Sequence, residues 1–165
     1  KIKLKHTKIN YKKMISKEAQ KSIKRFKRAS SFIGLLYKSP KEMTSGRMKI
    51  GRWFNNLQGT IFPKVKGTTK EVIYLDDIRS FKISTPSSDP ERILLYFHGG
   101  GYSLGSPESH YALASYLADI TKTVVYVPDY RLGPEHKFPA QLEDGIKSYK
   151  FLIKNEKKNR KTKKL

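Results

Sequence analysis

Ile93-Leu94-Leu95-Tyr96-Phe97-His98-Gly99-Gly100-Gly101-Tyr102 is the stretch whose reading decides the fold. Five apolar residues in a row, closed by three glycines, predict a strand buried on both faces of a parallel sheet, with a loop at its C-terminal end. In an open α/β sheet that edge is where ligands bind. Consecutive glycines lose much chain entropy on folding, so they need a physical reason. One reason is that they let backbone N–H groups approach and point at an oxygen that develops negative charge. The other readings are a tight turn and a phosphate cradle. A phosphate loop needs Lys and then Ser or Thr after the glycines, whereas Tyr102-Ser103-Leu104 follow here, and the dinucleotide fingerprint spaces its glycines differently.

Outward from this loop the pattern alternates. Before it, residues 72–75 and 81–84 predict two strands around an acidic turn at Asp76 and Asp77, and 86–90 reads as a polar loop. After it, Ser106 and Pro107 predict a helix start, with Ser as N-cap and Pro in the first position. Leu113, Tyr116, Leu117 and Ile120 would be that helix's buried stripe. Residues 123–127 predict another buried strand. Pro139 then opens a helix with the stripe Leu142, Ile146, Tyr149 and Ile153. Strand–helix–strand–helix predicts an α/β fold with parallel pairing. Before residue 60 the chain reads as helical and basic: Met14, Ile15, Ile23 and Phe26 recur between lysines, and Phe32, Ile33, Leu35 and Leu36 form an apolar block. Pro40 and Gly46 punctuate, and Trp53, Phe54 and Leu57 suggest another helical turn. Three regions follow: a basic helical region at 1–60, a core at 65–153 and a basic tail at 154–165.

The net charge of +21 on 165 residues invites a nucleic-acid reading, and its distribution argues against one for the core. Residues 1–70 hold 20 basic side chains against 2 acidic, net +18; residues 71–150 hold 8 against 11, net −3; residues 151–165 hold 7 against 1, net +6. The middle is an ordinary globular segment between basic ends. Weak contact with anionic membrane through residues 1–40 is the partner those ends suggest, and no specific nucleic acid is expected. There is no cysteine, which excludes disulfides and zinc–thiolate sites and fits a reducing, cytoplasmic setting with at most peripheral membrane contact. No metal or organic cofactor is implied. Apolar runs of about five residues fall far short of the ~20 that span a bilayer.

A second motif narrows the reading. Asp129-Tyr130-Arg131-Leu132-Gly133-Pro134-Glu135-His136-Lys137-Phe138-Pro139-Ala140 follows the next predicted strand. Together with His98-Gly99-Gly100-Gly101, it resembles the hormone-sensitive-lipase-like branch of the α/β-hydrolases over about residues 65–153. That resemblance implies the N-terminal half of an α/β-hydrolase sheet, about four strands and two core helices, preceded by helical cap segments. It implies a carboxylic-ester hydrolase (an esterase or lipase) acting on small or medium acyl esters. The N–H groups of Gly100 and Gly101 would form the oxyanion hole, with His98 and Gly99 shaping the loop and Tyr102 lining the substrate pocket. Asp129, Tyr130, Arg131 and Glu135 would form the structural motif of the second loop. Gly133 stands where the family usually has Ala.

Such enzymes need serine on a strand-to-helix elbow, then an acid, then a histidine. The resemblance places that elbow a few tens of residues after the Pro139-Ala140 helix, so none of the triad is expected within this sequence. The chain then reads as truncated before its nucleophile and inactive alone, with 93–97 left as an aggregation-prone edge. Gly101-Tyr102-Ser103-Leu104-Gly105 matches G-x-S-x-G by letter, with Asp129 and His136 following in triad order. Ser103 nevertheless lies too far beyond its strand and before its helix for an elbow. His136, His110 and His6 have no partner suggesting chemistry. The alternative function is a non-catalytic remnant, or a basic module that binds membrane or nucleic acid.

Overall fold

A computed structural model describes residues 16, 17, 20, 21, 23, 24 and 45–162. Two compact units divide the chain, 1–43 and 44–165. In the first, Lys17, Gln20, Lys21, Ile23 and Lys24 are helical, and the Gln20 N–H donates to the Ser16 carbonyl. The apolar block at Phe32–Leu36 and most of the expected membrane-contact region at 1–40 lie outside the described residues.

The second unit runs α1 (Ser45–Ile61), β1 (Thr69–Leu75), β2 (Ile78–Ser84), β3 (Asp89–Leu95), α2 (Tyr111–Thr121), β4 (Thr123–Pro128) and α3 (Ala140–Thr162). This is the α/β arrangement expected, with four strands and two core helices. The sheet order is β1-β2-β4-β3. Its pairing is mixed rather than uniformly parallel: β1–β2 and β2–β4 are antiparallel, and β3–β4 is parallel. The cause is local. Asp76 adopts φ 64, a left-handed conformation that Asp tolerates, and turns β1 straight back into β2. Only the β3–α2–β4 passage has enough chain to cross over into a parallel neighbour.

The core lies between this sheet and α2. Phe81 and Ile83 of β2 and Val125 and Val127 of β4 meet Ala114 and Ala118, with Leu94, Tyr96, Tyr111 and Leu117 packed around them. Burying these six central side chains supplies the largest favourable contribution to this unit. α1 joins through close backbone contact. A Cβ on Gly59 would lie 2.4 Å from the Ser109 Cα, so only glycine lets the helix approach that turn.

Several expectations are corrected. The run 93–97 is not buried on both faces: residues 93–96 are half-buried and Phe97 is exposed, while among the described residues β3 pairs only with β4, which leaves the expected edge. The strand also begins earlier, at Asp89, within the segment expected to be a loop. Pro90 is accommodated there because the ladder is irregular between Asp89 and Ile93 on an edge strand. Gly46 lies inside α1 rather than punctuating before it. Ser106 caps a turn, not the helix: its Oγ accepts the Ser109 N–H at 3.1 Å, while α2 starts at Tyr111 behind His110.

Both expected apolar stripes are also largely reversed, Leu117 alone of the first packing against the core. Leu113, Tyr116 and Ile120 are exposed, and α2 buries Ala112, Ala114, Ser115 and Ala118. Small residues let a helix lie close against a sheet, so they take the contact face and the larger side chains turn outward. Leu142, Ile146, Tyr149 and Ile153 of α3 are exposed as well, whereas Ala140, Asp144, Ser148 and Leu152 are buried. α3 runs without interruption through residue 154 to Thr162. Among the described residues, no helix is long and apolar enough to cross a membrane.

Candidate active site

The glycine loop leaves β3 at His98 and turns through conformations that restrict its residues. Gly100 has φ 134 and Gly101 φ 60, and Tyr102 follows at φ 58, unusual for a residue with a side chain. The Gly100 carbonyl closes the turn by accepting the N–H groups of Ser103 at 3.2 Å and Leu104 at 2.9 Å. The N–H groups of Gly100 and Gly101 have no acceptor among the described residues. They border a cleft of about 1090 Å³ that Tyr102, Phe97, Phe138, Leu142 and Ile146 also line.

Under the loop, His98 is buried. Its ring stacks on Tyr130 with centroids 4.3 Å apart and lies 5.4 Å from the His110 ring. The Tyr130 hydroxyl donates to the His98 carbonyl at 2.6 Å, which fixes the start of the loop. His98 Nδ1 sits 3.1 Å from the Gly99 carbonyl, the geometry of a neutral ring protonated on Nδ1, and Nε2 is buried with no partner among the described residues. Burial drives the imidazole from the ordinary 6.5 down to about 4, and the nearby His110 pushes the same way. His110 is also lowered by burial. The unfolded chain therefore binds a proton on His98 that the folded chain refuses between these values. Stability is full above pH 6.5, is lost as pH falls toward 4, and changes no further from this ring below that. The expected loss from His98 is about 3 kcal/mol. Urea unfolding at pH 7 and pH 4.5 measures it, and His98→Gln should flatten the slope. Equal stability at the two pH values would show that the ring is not held neutral.

The second motif binds the loop from below and behind. Gly133 N–H donates to the Tyr102 carbonyl at 2.8 Å. The Asp129 carboxylate accepts from Arg79 at 2.9 Å, and Arg79 also holds Glu108. Burial and the neighbouring Glu108 raise the Asp129 pKa against the pull of Arg79. Glu108 itself ends below the usual range: burial raises it, but Arg79, a backbone hydrogen bond and Ser106 together lower it further. Arg131 clamps Asp144 of α3 through its backbone N–H at 2.8 Å and its guanidinium at 2.7 and 2.9 Å. The guanidinium pKa is raised by hydrogen bonds to Asp144 and then Glu143. Glu135 accepts two bonds from Arg52 of α1, which lower its pKa. Each of Asp129, Tyr130, Arg131 and Glu135 thus has a partner outside its own motif. A Cβ on Gly133 would meet only ordinary contacts at 3.7 Å or more, so the missing alanine methyl changes little.

Ser103, Asp129 and His136 are not assembled. Asp129 is committed to Arg79, and no hydrogen bond joins Ser103 Oγ to the His136 ring among the described residues. Among those residues there is also no cluster of three His, Cys, Asp or Glu fit for a metal ion. Arg52, Arg79, Glu108 and Asp144 were missed by sequence reading. Arg52 and Arg79 stand 50 to 83 residues from most of their partners, and no local pattern signals such contacts.

A family model described as the alpha/beta hydrolase fold matches residues 94–165. An acetyl-hydrolase of Streptomyces hygroscopicus is 46% identical over 68 residues, 41% of this chain and 23% of that protein. Human arylacetamide deacetylase-like 2 is 36% identical over 89 residues, 52% of this chain and 22% of that protein. Among solved structures, an esterase of the bacterial hormone-sensitive lipase family superposes with a TM-score of 0.65 at 26% identity, covering 78% of this chain and 42% of that one. A hormone-sensitive lipase from a metagenome library gives 0.64 at 30% identity, covering 77% and 43%. The chain thus spans about a fifth of the length of these curated relatives and about two fifths of these solved chains. Two motifs in the right order, a sheet that superposes on these esterases and a family model matched over residues 94–165 lead to one conclusion: the chain has an α/β-hydrolase-type sheet and is similar to esterases of the hormone-sensitive-lipase family over the part of them that it covers.

Proposed function

We propose that this chain contributes the oxyanion hole of a carboxylic-ester hydrolase, with Gly100 and Gly101 N–H as the donors. One observation carries the reading: two amides on a constrained loop have no acceptor among the described residues and border an apolar cleft. A tetrahedral intermediate formed at an ester carbonyl would place its oxygen there. Donors held in advance stabilise that charge without reorganising during the reaction. Tyr102, at the cleft mouth, would contact a small or medium acyl ester, and the apolar lining suits an uncharged acyl group.

The attacking serine belongs to polypeptide packed beside β3. The free edge of β3 can accept a parallel strand, and the outward apolar side of α3 offers a surface for that addition. A serine at the C-terminal end of such a strand would face the glycine loop, as acyl transfer with a shared oxyanion hole requires. The division into a cap region at 1–60, a core at 65–153 and a basic tail at 154–165 belongs to this reading. So do weak anionic-membrane contact through 1–40 and a cytoplasmic setting.

Complementation tests the reading. The 165-residue chain is fused ahead of the C-terminal portion of a hormone-sensitive-lipase-family esterase and assayed with p-nitrophenyl acetate and butyrate. Hydrolysis above background that survives Ser103→Ala supports it. A fusion that melts cooperatively and cleaves neither ester overturns it.

A further inference from the structure

We propose that Arg52 is a positioning residue that aims the Gly101 N–H through two hydrogen-bonded peptide groups, an inference that rests on the oxyanion reading of the loop. A trans peptide is planar, with its C=O and N–H pointing in opposite directions, so fixing one end fixes the other. Arg52 Nε donates to the Ser103 carbonyl at 2.8 Å. The same peptide group ends in the Leu104 N–H, which donates to the Gly100 carbonyl at 2.9 Å. That carbonyl shares its peptide group with the Gly101 N–H, which is thereby turned the opposite way. The series runs from a cation on α1 to the amide bordering the cleft.

A second branch converges on the same carbonyl. Arg52 Nη2 donates to the Gly133 carbonyl at 2.6 Å, and the Gly133 N–H, which belongs to the preceding peptide group, donates to the Tyr102 carbonyl at 2.8 Å, so this branch acts by anchoring the Gly133 residue rather than through one planar peptide. The Tyr102 peptide group ends in the Ser103 N–H, which reaches the Gly100 carbonyl at 3.2 Å. Glu135 holds the guanidinium from its other side at 2.8 and 3.1 Å. The planar fork of arginine meets three acceptors in fixed directions, which a single ammonium cannot do. A cation at the head of a hydrogen-bonded series also polarises every later bond, making the last N–H a better donor to negative oxygen.

The consequence is that α1, none of whose described residues lines the cleft, has a task in the site. Trp53, Ile50 and Leu57 on the same helix are exposed, whereas the Arg52 side chain is only 19% exposed. Displacing α1 would release the Ser103 carbonyl first and the Gly101 amide with it.

Hydrogen exchange on the full chain tests this. The Ser103 and Leu104 amides are compared with those of Val125 and Val127 in wild type, Arg52→Met and Arg52→Lys. With Arg52→Met, Ser103 and Leu104 are expected to exchange about tenfold faster or more, with Val125 and Val127 within about twofold. Arg52→Lys keeps the charge and the stem, so it should rescue part of the protection, leaving roughly a threefold increase. If Arg52→Met does not fold, the Arg52→Lys comparison decides. Unchanged loop exchange in the variants that fold overturns the proposal. So does acceleration of loop and β4 amides by one common factor, the mark of general destabilisation. Exchange is read without ester turnover, so it can fail while the esterase reading stands, and the reverse.

Discussion

Gly100→Ala is expected to cost the fold about 3 kcal/mol, from backbone strain plus two lost turn bonds. A Cβ at this position would lie 2.1 Å from the Leu104 carbonyl oxygen and 2.4 Å from its carbon. Both are backbone atoms, so no side chain can swing aside. The φ of 134 adds strain that only glycine avoids. The loop must therefore open, and the Ser103 and Leu104 N–H bonds to the Gly100 carbonyl are lost with it. Gly101→Ala is the informative control. Its Cβ would meet nothing within 4 Å, and its φ of 60 is one that Tyr102 already adopts next door. It should cost only about 1 kcal/mol. Urea denaturation of the two variants measures the difference, and equal costs would mean that the turn does not depend on the Gly100–Leu104 contact. In a complemented enzyme, losing one donor should slow ester cleavage on the order of a hundredfold or more.

Asp144→Ala should cost a similar amount, about 3 kcal/mol, for a different reason. The Asp144 side chain is only 5% exposed and accepts the Arg131 backbone N–H together with its guanidinium. Removing it strips the second motif of its tie to α3 and leaves a main-chain donor without its acceptor. The guanidinium keeps Glu143 at 3.0 Å and the Ala140 carbonyl at 3.2 Å, which holds the cost at the lower end for a broken ion pair. Glu143→Ala removes the other carboxylate of the same cluster, whose side chain is 55% exposed. It should cost less than about 1 kcal/mol, as exposed pairs do. Chemical denaturation of both variants gives the comparison. If they prove equally mild, the second motif is not anchored through Asp144.

These two substitutions show where sequence reading was strong and where it stopped. Gly100 announces itself, because three glycines at the end of an apolar strand have few structural uses. Asp144 does not, because a carboxylate between Glu143 and Gly145 near the start of a basic helix looks like solvated surface. The helical stripes misled in the same way. Leu142, Ile146, Tyr149 and Ile153 have core periodicity and face outward, while Asp144 and Ser148 are buried. Periodicity reports that a face is apolar, not which neighbour covers it. The candidate loop was legible residue by residue at His98 to Tyr102 and at Asp129 to Glu135. The partners Arg52, Arg79 and Asp144 were not, since each meets its motif through space.

By itself the sequence determined the order of strands and helices, the glycine loop at the end of β3, the second motif and the family they indicate. These are written in local patterns: apolar runs, glycine and proline punctuation, and motif spacing. Tertiary structure alone decided the mixed pairing of the sheet, the burial of small residues in α2 and the junction of three segments at Arg52. Those features depend on which surfaces meet after the chain has folded, and contact energies between residues 51 to 83 positions apart leave no periodic trace along the chain.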